Sequence, residues 1–332
     1  MTAPRAPNSS RAEDRVSIPI DAVYAWVDGA DPAHRAKRAR YRQDAETTAE
    51  RWRDNGELRY SLRSLHRHAP WIRRIFIVTD QQVPDWLDTA HPQIEIVDHR
   101  AIFPDRRFLP TFNSCVIETF LHRIPGLSSH YLYFNDDMFL GRPVVPEDFL
   151  TEAGQQILHI DGQKLPPLRD WVKGRLGRHG RLLAYTHFLV RCAFGRQAPA
   201  ADLPHMPQLF VKAEVERVSR RFRAALRFGL SQRFRGWRMP LLRVLYVNAL
   251  LASADGVSRV LTPEECRLVM LREDGMAARG LFLLLEDPPK FFCINDDRPD
   301  AAADPQLAVS LDLCLRRLFP TPSPFERGIG GA

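Results

Sequence analysis

Three short stretches carry the residues best suited to chemistry. "YLYFNDDMF" (131–139) sets Asn135, Asp136 and Asp137 directly after an apolar run, and "KFFCINDD" (290–297) repeats the pattern with Asn295, Asp296 and Asp297. "IDAVYAWVDG" (20–29) ends another apolar run in Asp28, with Asp31 three residues on. Paired carboxylates are hard oxygen ligands; they suit Mg²⁺ or Mn²⁺ rather than zinc, and such a cation usually bridges protein carboxylates and a diphosphate. Arginines supply the complementary charge. "SQRFRGWR" holds Arg233, Arg235 and Arg238 within six residues, and a guanidinium fork matches phosphate oxygens. "LPHMP" brackets His205 between two prolines, which fixes its backbone. An imidazole held this way can act as a general base, or can be no more than a turn histidine.

The elements that must position these residues follow from apolar periodicity. Residues 20–29, 73–80, 94–99, 130–137 and 290–297 read as strands. Residues 54–70 read as a helix in which Asp54 and Glu57 form a capping box, Leu58, Leu62 and Leu65 share one face, and Pro70 ends the run. Residues 113–124 read as a second helix, and the charge-dense residues 34–53 as an exposed one. Strands alternating with helices predict an α/β, Rossmann-like, mostly parallel sheet with helices on both faces. In such sheets the ligand lies at the carboxyl ends of the strands. Those ends carry Asp28, Thr79-Asp80, Asp98-His99, Asn135-Asp136-Asp137 and Asn295-Asp296-Asp297. Asp and Asn commonly end strands, so one such cluster means little; five argue for a ligand edge.

The second half is predicted to be more helical. Residues 206–228 form an Arg-rich amphipathic pattern, 240–254 are apolar, 262–272 start with a Thr cap and Pro263 at the first helical position, and 305–319 make a last helix. Residues 1–17 read as a disordered lead, 18–326 as one catalytic domain with an insertion or lid at 163–204, and 327–332 as a flexible tail.

Composition narrows the function. Apolar residues make up 45% and charged residues 26%, as in soluble globular proteins. No apolar run reaches the roughly 18 residues of a membrane span, and the first residues lack the apolar core of a signal peptide. The five cysteines include no C-x-x-C pair, which points away from zinc and disulfides and toward reduced thiols in a cytoplasm. The net charge of +7 is uneven: residues 163–245 hold 18 Lys/Arg against 4 Asp/Glu, the remainder 29 against 36. A basic segment calls for an anionic partner such as phosphate, acidic glycan, lipid headgroup or nucleic acid. No P-loop, G-x-G-x-x-G or G-x-S-x-G motif occurs. The residues themselves therefore lead to a metal-assisted enzyme acting on a phosphate-bearing ligand.

Four longer stretches add to this reading. They are "IDAVYAWVDGADP" (20–32); "RDNGELRYSLRSLHRHAPWIRRIFIVTDQQVPDWL" (53–87) continuing to "LPTFNSCVIETFLHRIPGLSSHYLYFNDDMFLG" (109–141); "LPHMPQLFVKAEVERVSRRF" with "SQRFRGWRMPLLRVLYVNAL"; and "KFFCINDDRPD" with "LFPTPSPFE". In that order they resemble the Stealth family of sugar-1-phosphate transferases, which includes bacterial capsular polysaccharide phosphotransferases and the animal subunit that starts the mannose-6-phosphate tag. The resemblance implies transfer of a sugar-1-phosphate from a nucleotide sugar, a UDP-sugar first among them, to a hydroxyl of a glycan or lipid-linked glycan. A phosphodiester forms and a nucleoside monophosphate leaves, in capsule or exopolysaccharide biosynthesis. A divalent cation, Mg²⁺ or Mn²⁺, is implied as cofactor.

The family's motif residues fall on Asp28 and Asp31; on Asp54, Asn55, Glu57 and Arg59; on Asn135, Asp136 and Asp137; on His205 and Arg235; and on Asn295 and Asp296. The roles expected from the resemblance are cation binding by Asp136, Asp137 and Asp296, a phosphate clamp by Arg235 with Arg233 beside it, and proton abstraction by His205, a role Asp28 could share. Asp31, Asp54, Asn55, Glu57, Arg59, Asn135 and Asn295 would position substrate. Two other classes are weighed against this one: a metal-dependent glycosyltransferase making a glycosidic bond, and a non-catalytic basic protein binding glycan or nucleic acid. The latter has no need of acidic strand ends and would stack bases on interleaved aromatics, so nucleic acid is not expected. The expected location is the cytoplasm, with the basic segment resting against an anionic inner membrane face.

Overall fold

The computed structural model describes residues 18–41, 54–236, 239–271, 276–296 and 305–328. The expected lead at 1–17, residues 42–53 of the helix expected at 34–53, Arg238, Asp297 and the end of the tail lie outside the described residues.

In chain order the elements are β1 (Ile20–Ala25), α1 (Pro32–Ala39), α2 (Glu57–His68), β2 (Ile75–Thr79), β3 (Ile94–Asp98), α3 (His99–Ile102), α4 (Ser114–Glu118), β4 (His130–Asn135), β5 (Met138–Leu140) and β6 (Gln156–Ile160). There follow α5 (Leu168–Val172), α6 (Arg178–Phe194), β7 (Gln208–Val211), α7 (Lys212–Arg221), α8 (Arg223–Leu230), α9 (Leu242–Ala252), β8 (Gly256–Val260), β9 (Cys266–Leu271), α10 (Met276–Glu286), β10 (Phe291–Asp296) and α11 (Pro305–Leu318).

The main sheet has the order β3-β2-β1-β4-β7. The first four strands are parallel, and β7 joins the edge antiparallel to β4. The expected α/β architecture is therefore present. Alternation along the strands explains the two covered faces. Ala22, Tyr24, Leu132 and Phe134 pack with Leu58, Leu62 and Leu65 of α2, whereas Val23, Tyr131 and Tyr133 pack with Val215 of α7 and Leu245 and Tyr246 of α9.

Several expectations are corrected. The strand at 290–297 is real, but β10 belongs to a second sheet of order β5-β10-β9 rather than to the main one. Residues 262–272 are not a helix. Thr262 does start a turn, accepting from the backbone N–H groups of Glu265 and Cys266, but from Cys266 on the chain pairs in parallel with β10. The helix at 113–124 is α for only five residues; Thr119 donates its hydroxyl to the carbonyl of Cys115, a back-bond that competes with helix continuation. The basic pattern at 206–228 opens with β7 before α7 and α8 begin. Residues 163–204 contain α5 and α6 and are tied to α9: the Asn248 amide accepts from the N–H of Ala201 at 2.8 Å and donates to its carbonyl at 2.9 Å.

Candidate active site

The carboxyl ends of β1 and β4 stand side by side, with Ala25 opposite Asn135. After Asn135 the chain turns through Asp136 and Asp137 into β5. Two serines of α2 hold that return: Ser61 donates its hydroxyl to the carbonyl of Met138, and Ser64 accepts from the N–H of Leu140 at 3.1 Å. Small side chains here let β5 lie close to the helix. β5 then pairs antiparallel with β10, Met138 opposite Cys293. That pairing brings Asn295 and Asp296 beside the first cluster. The N–H of Ile294 donates to the carbonyl of Asp137 at 3.0 Å, and Asn295 Nδ2 donates to Asp137 Oδ2 at 3.1 Å.

The start of α2 supplies two more carboxylates, and the expected capping box is not how they are used. Gly56 is the N-cap, with a left-handed φ of 82° that favours glycine. Asp54 accepts from Trp26 Nε1 at 3.0 Å and from the N–H of Gly56 at 2.7 Å. Glu57 is buried and accepts from the backbone and side-chain nitrogens of Asn55, both at 2.6 Å.

Asp28, Asp54, Glu57, Asp136 and Asp137 thus share one electrostatic neighbourhood. Burial pushes Glu57 up to about 7, with Asp54 adding to the rise. Burial raises Asp136 well above the ordinary carboxylate range, with Asp137, Glu57 and Asp54 each contributing. Asp54 is raised by burial and by the charge of Asp28. Asp137 is raised by burial, against hydrogen bonds from Cys293 and Asn295 and the charge of Arg243. Its Oδ1 is buried without a hydrogen-bond partner.

Arg243 is the cation on the other side. It projects from α9, pairs with Glu118 of α4 at 3.3 Å, and lies 5.6 Å over the ring of Tyr133. The Tyr133 hydroxyl in turn donates to Asn135 Oδ1 at 2.7 Å. His205 is depressed to about 4, first by burial, then by Arg243 and His179. At neutral pH its ring is therefore uncharged, the form that can accept a proton. Arg235 is exposed, donates to Ser114 Oγ at 2.6 Å, and acts with Arg243 on Cys115 and Tyr133. Arg243 thus acts on both Asp137 and His205, and Arg235 shares Cys115 and Tyr133 with it.

Three sequence-predicted residues have structural partners instead. Asp31 caps α1 through the N–H of Ala33 at 2.8 Å and takes Gln82 Nε2 at 2.9 Å, which fastens the loop after β1 to the loop after β2. Arg59 joins Arg63 on the buried carboxylate of Glu326. Arg233 donates to the carbonyls of Pro110 at 2.6 Å and Arg107 at 3.3 Å. Sequence reasoning missed Arg243. The signal was there: it is the one charged residue in "LRVLYVNALLA" (242–252), and a buried arginine in an apolar helix needs a partner.

The donor set fits a hard divalent cation in kind, and Asp137 Oδ1, buried without a hydrogen-bond partner, would be available to one. Among the described residues, however, no three His, Cys, Asp or Glu groups converge on one point as a ready-made cage.

Comparison with known proteins gives the family to which this parallel-stranded α/β chain, with its carboxylate-rich strand ends, belongs. Models of the conserved regions of Stealth proteins match residues 19–45 (conserved region 1), 51–158 (conserved region 2) and 283–330 (conserved region 4). The chain is 35% identical over 290 residues to a capsular polysaccharide phosphotransferase of Haemophilus influenzae, covering 84% of this chain and 78% of that one. It is 37% identical over 322 residues to an exopolysaccharide phosphotransferase of Streptomyces coelicolor, covering 94% of this chain and 53% of that one. The chain belongs to the Stealth family. It spans between 33% and 58% of the length of the Streptomyces relatives it matches. Among solved structures it is similar to the glycosyltransferase GlyE of Streptococcus pneumoniae, at 12% identity and a TM-score of 0.42 over 83% of this chain and 54% of that one.

Proposed function

We propose that the chain transfers a sugar-1-phosphate from a nucleotide sugar to a hydroxyl of an acceptor glycan in capsule or exopolysaccharide biosynthesis. The observation that carries this reading is the meeting of Asn135-Asp136-Asp137 with Asn295 and Asp296 across the β5–β10 pair, with the half-buried Arg243 acting on both Asp137 and a neutral His205. In-line phosphoryl transfer asks for positioning and charge stabilisation more than covalent chemistry. The acceptor oxygen forms a bond to the sugar-bearing phosphorus, and the bond from that phosphorus to the bridging diphosphate oxygen breaks. The acceptor proton passes to a ring nitrogen of His205, and the nucleoside monophosphate leaves. Arg235 faces the transferring phosphate, and Asn135 and Asn295 orient the carboxylates behind it. Asp136, Asp137 and Asp296 would hold Mg²⁺ or Mn²⁺, whose chemistry is to neutralise the diphosphate and the departing phosphate.

Among the described residues no helix is long and apolar enough to cross a membrane. Contact with an anionic inner leaflet through the basic segment belongs to this proposal and rests on the 18 Lys/Arg against 4 Asp/Glu in 163–245. Flotation should carry the protein with acidic liposomes and leave it behind with neutral ones; equal recovery from both would dismiss the contact.

The deciding experiment supplies each nucleotide sugar with Mg²⁺ or Mn²⁺ and a glycan acceptor, and identifies both products. A nucleoside monophosphate and a phosphodiester support the proposal. A nucleoside diphosphate and a glycoside would replace it with ordinary glycosyl transfer.

A further inference from the structure

A cavity of about 560 Å³ opens between residues 105–123 and the helices α7 and α8, within the range of ligand pockets. None of the active-site carboxylates lines it. Its apolar wall is Phe108, Phe120, Leu226 and Leu230. Five arginines surround that wall. Two are balanced: Arg107 pairs with Asp105 at 2.6 Å and Arg220 with Glu216 at 3.7 Å. The other three, Arg123, Arg223 and Arg227, pair with no carboxylate among the described residues. Arg223 and Arg227 stand one turn apart on α8, so their like charges share a face, an arrangement that costs stability unless an anion comes between them.

A second observation is independent of charge. His122, only 8% exposed, lines the cavity and leaves Nδ1 without a hydrogen-bond partner, and Ser219 Oγ on the same wall is likewise buried and unpartnered. Buried polar groups in this state are rare in folded proteins, and each calls for an explanation. A phosphate uses the arginines, the serine hydroxyl and an imidazole N–H but gains nothing from two phenylalanines and two leucines. A hydrocarbon uses the latter and gains nothing from the former.

We propose that this cavity binds a lipid phosphate: a phosphate monoester set among Arg123, Arg223, Arg227, His122 and Ser219, with its hydrocarbon chain on Phe108, Phe120, Leu226 and Leu230. The proposal does not rest on the transfer reaction, because binding is measured without donor or acceptor. The purified chain is titrated by calorimetry with dodecyl phosphate below its micelle concentration, and in parallel with inorganic phosphate and with dodecyl maltoside. Dodecyl phosphate should saturate one site, and each control should bind at least about tenfold more weakly, since each lacks half of the contacts. The pair Arg223→Gln and Arg227→Gln, both exposed on α8, should weaken dodecyl phosphate by about tenfold or more with the melting temperature of the free protein unchanged or slightly raised. Should that pair unfold, Arg123→Gln on the opposite wall gives the same reading. Equal affinity for inorganic phosphate would make this a free-anion site, and equal affinity for the maltoside a plain apolar one. Either result, absence of saturable binding, or binding untouched by the variants would overturn the proposal.

Discussion

Replacing Arg243 should move the proton affinity of His205, and the size of the movement is bounded by the structure. His205 is held at about 4 by burial first and by Arg243 second. Arg243→Gln removes the second cause and leaves the first, so the ring should titrate above 4 and below its unperturbed value of about 6.5. At pH 5.5 a ring with a pKa of about 4 is ~97% neutral, whereas one at the upper bound of about 6.5 is only ~9% neutral. A base that must be neutral would then lose up to about tenfold in rate at pH 5.5 and almost nothing at pH 8 through this route. Glu118 is buried beside the guanidinium, and removing only its partner strands a charge, so the variant is built together with Glu118→Gln. Arg243→Lys keeps the charge and should leave the titration near 4. The assay is NMR titration of the His205 ring, run beside the pH dependence of kcat/KM. A ring that titrates at the same pH in wild type and Arg243→Gln would refute the coupling. A shifted ring with an unmoved acidic limb in the rate would refute His205 as the base.

Three further outcomes are expected. Excess chelator should abolish transfer and Mg²⁺ or Mn²⁺ should restore it, with Asp137→Ala and Asp296→Ala each losing most activity while remaining folded; full activity in chelator would remove the cation from the mechanism. Arg235→Lys should lose rate and donor affinity together, because a point charge does not reproduce the guanidinium fork, and a wild-type profile would return Arg235 to the surface contact it makes with Ser114. Glu57 is raised in the folded state from 4.5 to about 7, so the folded chain binds its proton more tightly than the unfolded one, and stability present below 4.5 is lost as pH rises through about 7, by about 3 kcal/mol in all. Urea midpoints at pH 5 and pH 8 should therefore differ less in Glu57→Gln than in wild type; identical differences would show that Glu57 does not set this slope.

Much of the scaffold was legible because it is written locally. Each strand of the parallel sheet is an apolar run, and each ends where a polar residue must meet solvent or ligand. β9 was missed because its Thr-Pro start is a genuine turn signal, and because its strand pairing is supplied by β10, which follows it with α10 in between. The α2 cap was misread because Asp54 and Glu57 have capping-box spacing, while the residue that decides the entry is Gly56, whose left-handed φ moves the helix start past Asp54. The acidic side of the site was legible for the same reason as the strands. Its cationic side was legible only in Arg235. Arg243 lies in a helix that reads as core, and it becomes a site residue only because folding brings α4, β4 and the Asp136-Asp137 turn to it.

The contrast among this chain's own carboxylates argues that the cluster exists for a ligand. Two buried carboxylates that serve the fold, Asp21 and Glu326, are fully partnered. Asp21 takes two bonds from Arg73, at 2.8 and 2.6 Å, and one from the N–H of Ser128 at 2.7 Å. Glu326 is gripped by Arg63 and Arg59 and, despite its burial, is lowered to about 2. Asp136 and Asp137 are treated in the opposite way. They are adjacent and raised by burial, Asp136 is set against Glu57 and Asp54, and Asp137 keeps one oxygen without a partner. A fold that can satisfy Asp21 with one arginine has no difficulty doing the same elsewhere. Leaving these carboxylates under-compensated costs stability, and local rules of this kind are broken mainly where function requires it. A positive charge brought by the reaction's own components restores the balance, and the raised proton affinities imply that its binding releases protons. A pH-stat titration with Mg²⁺ should therefore record proton release near neutral pH, and a silent titration would mean that the cluster keeps its protons for another purpose.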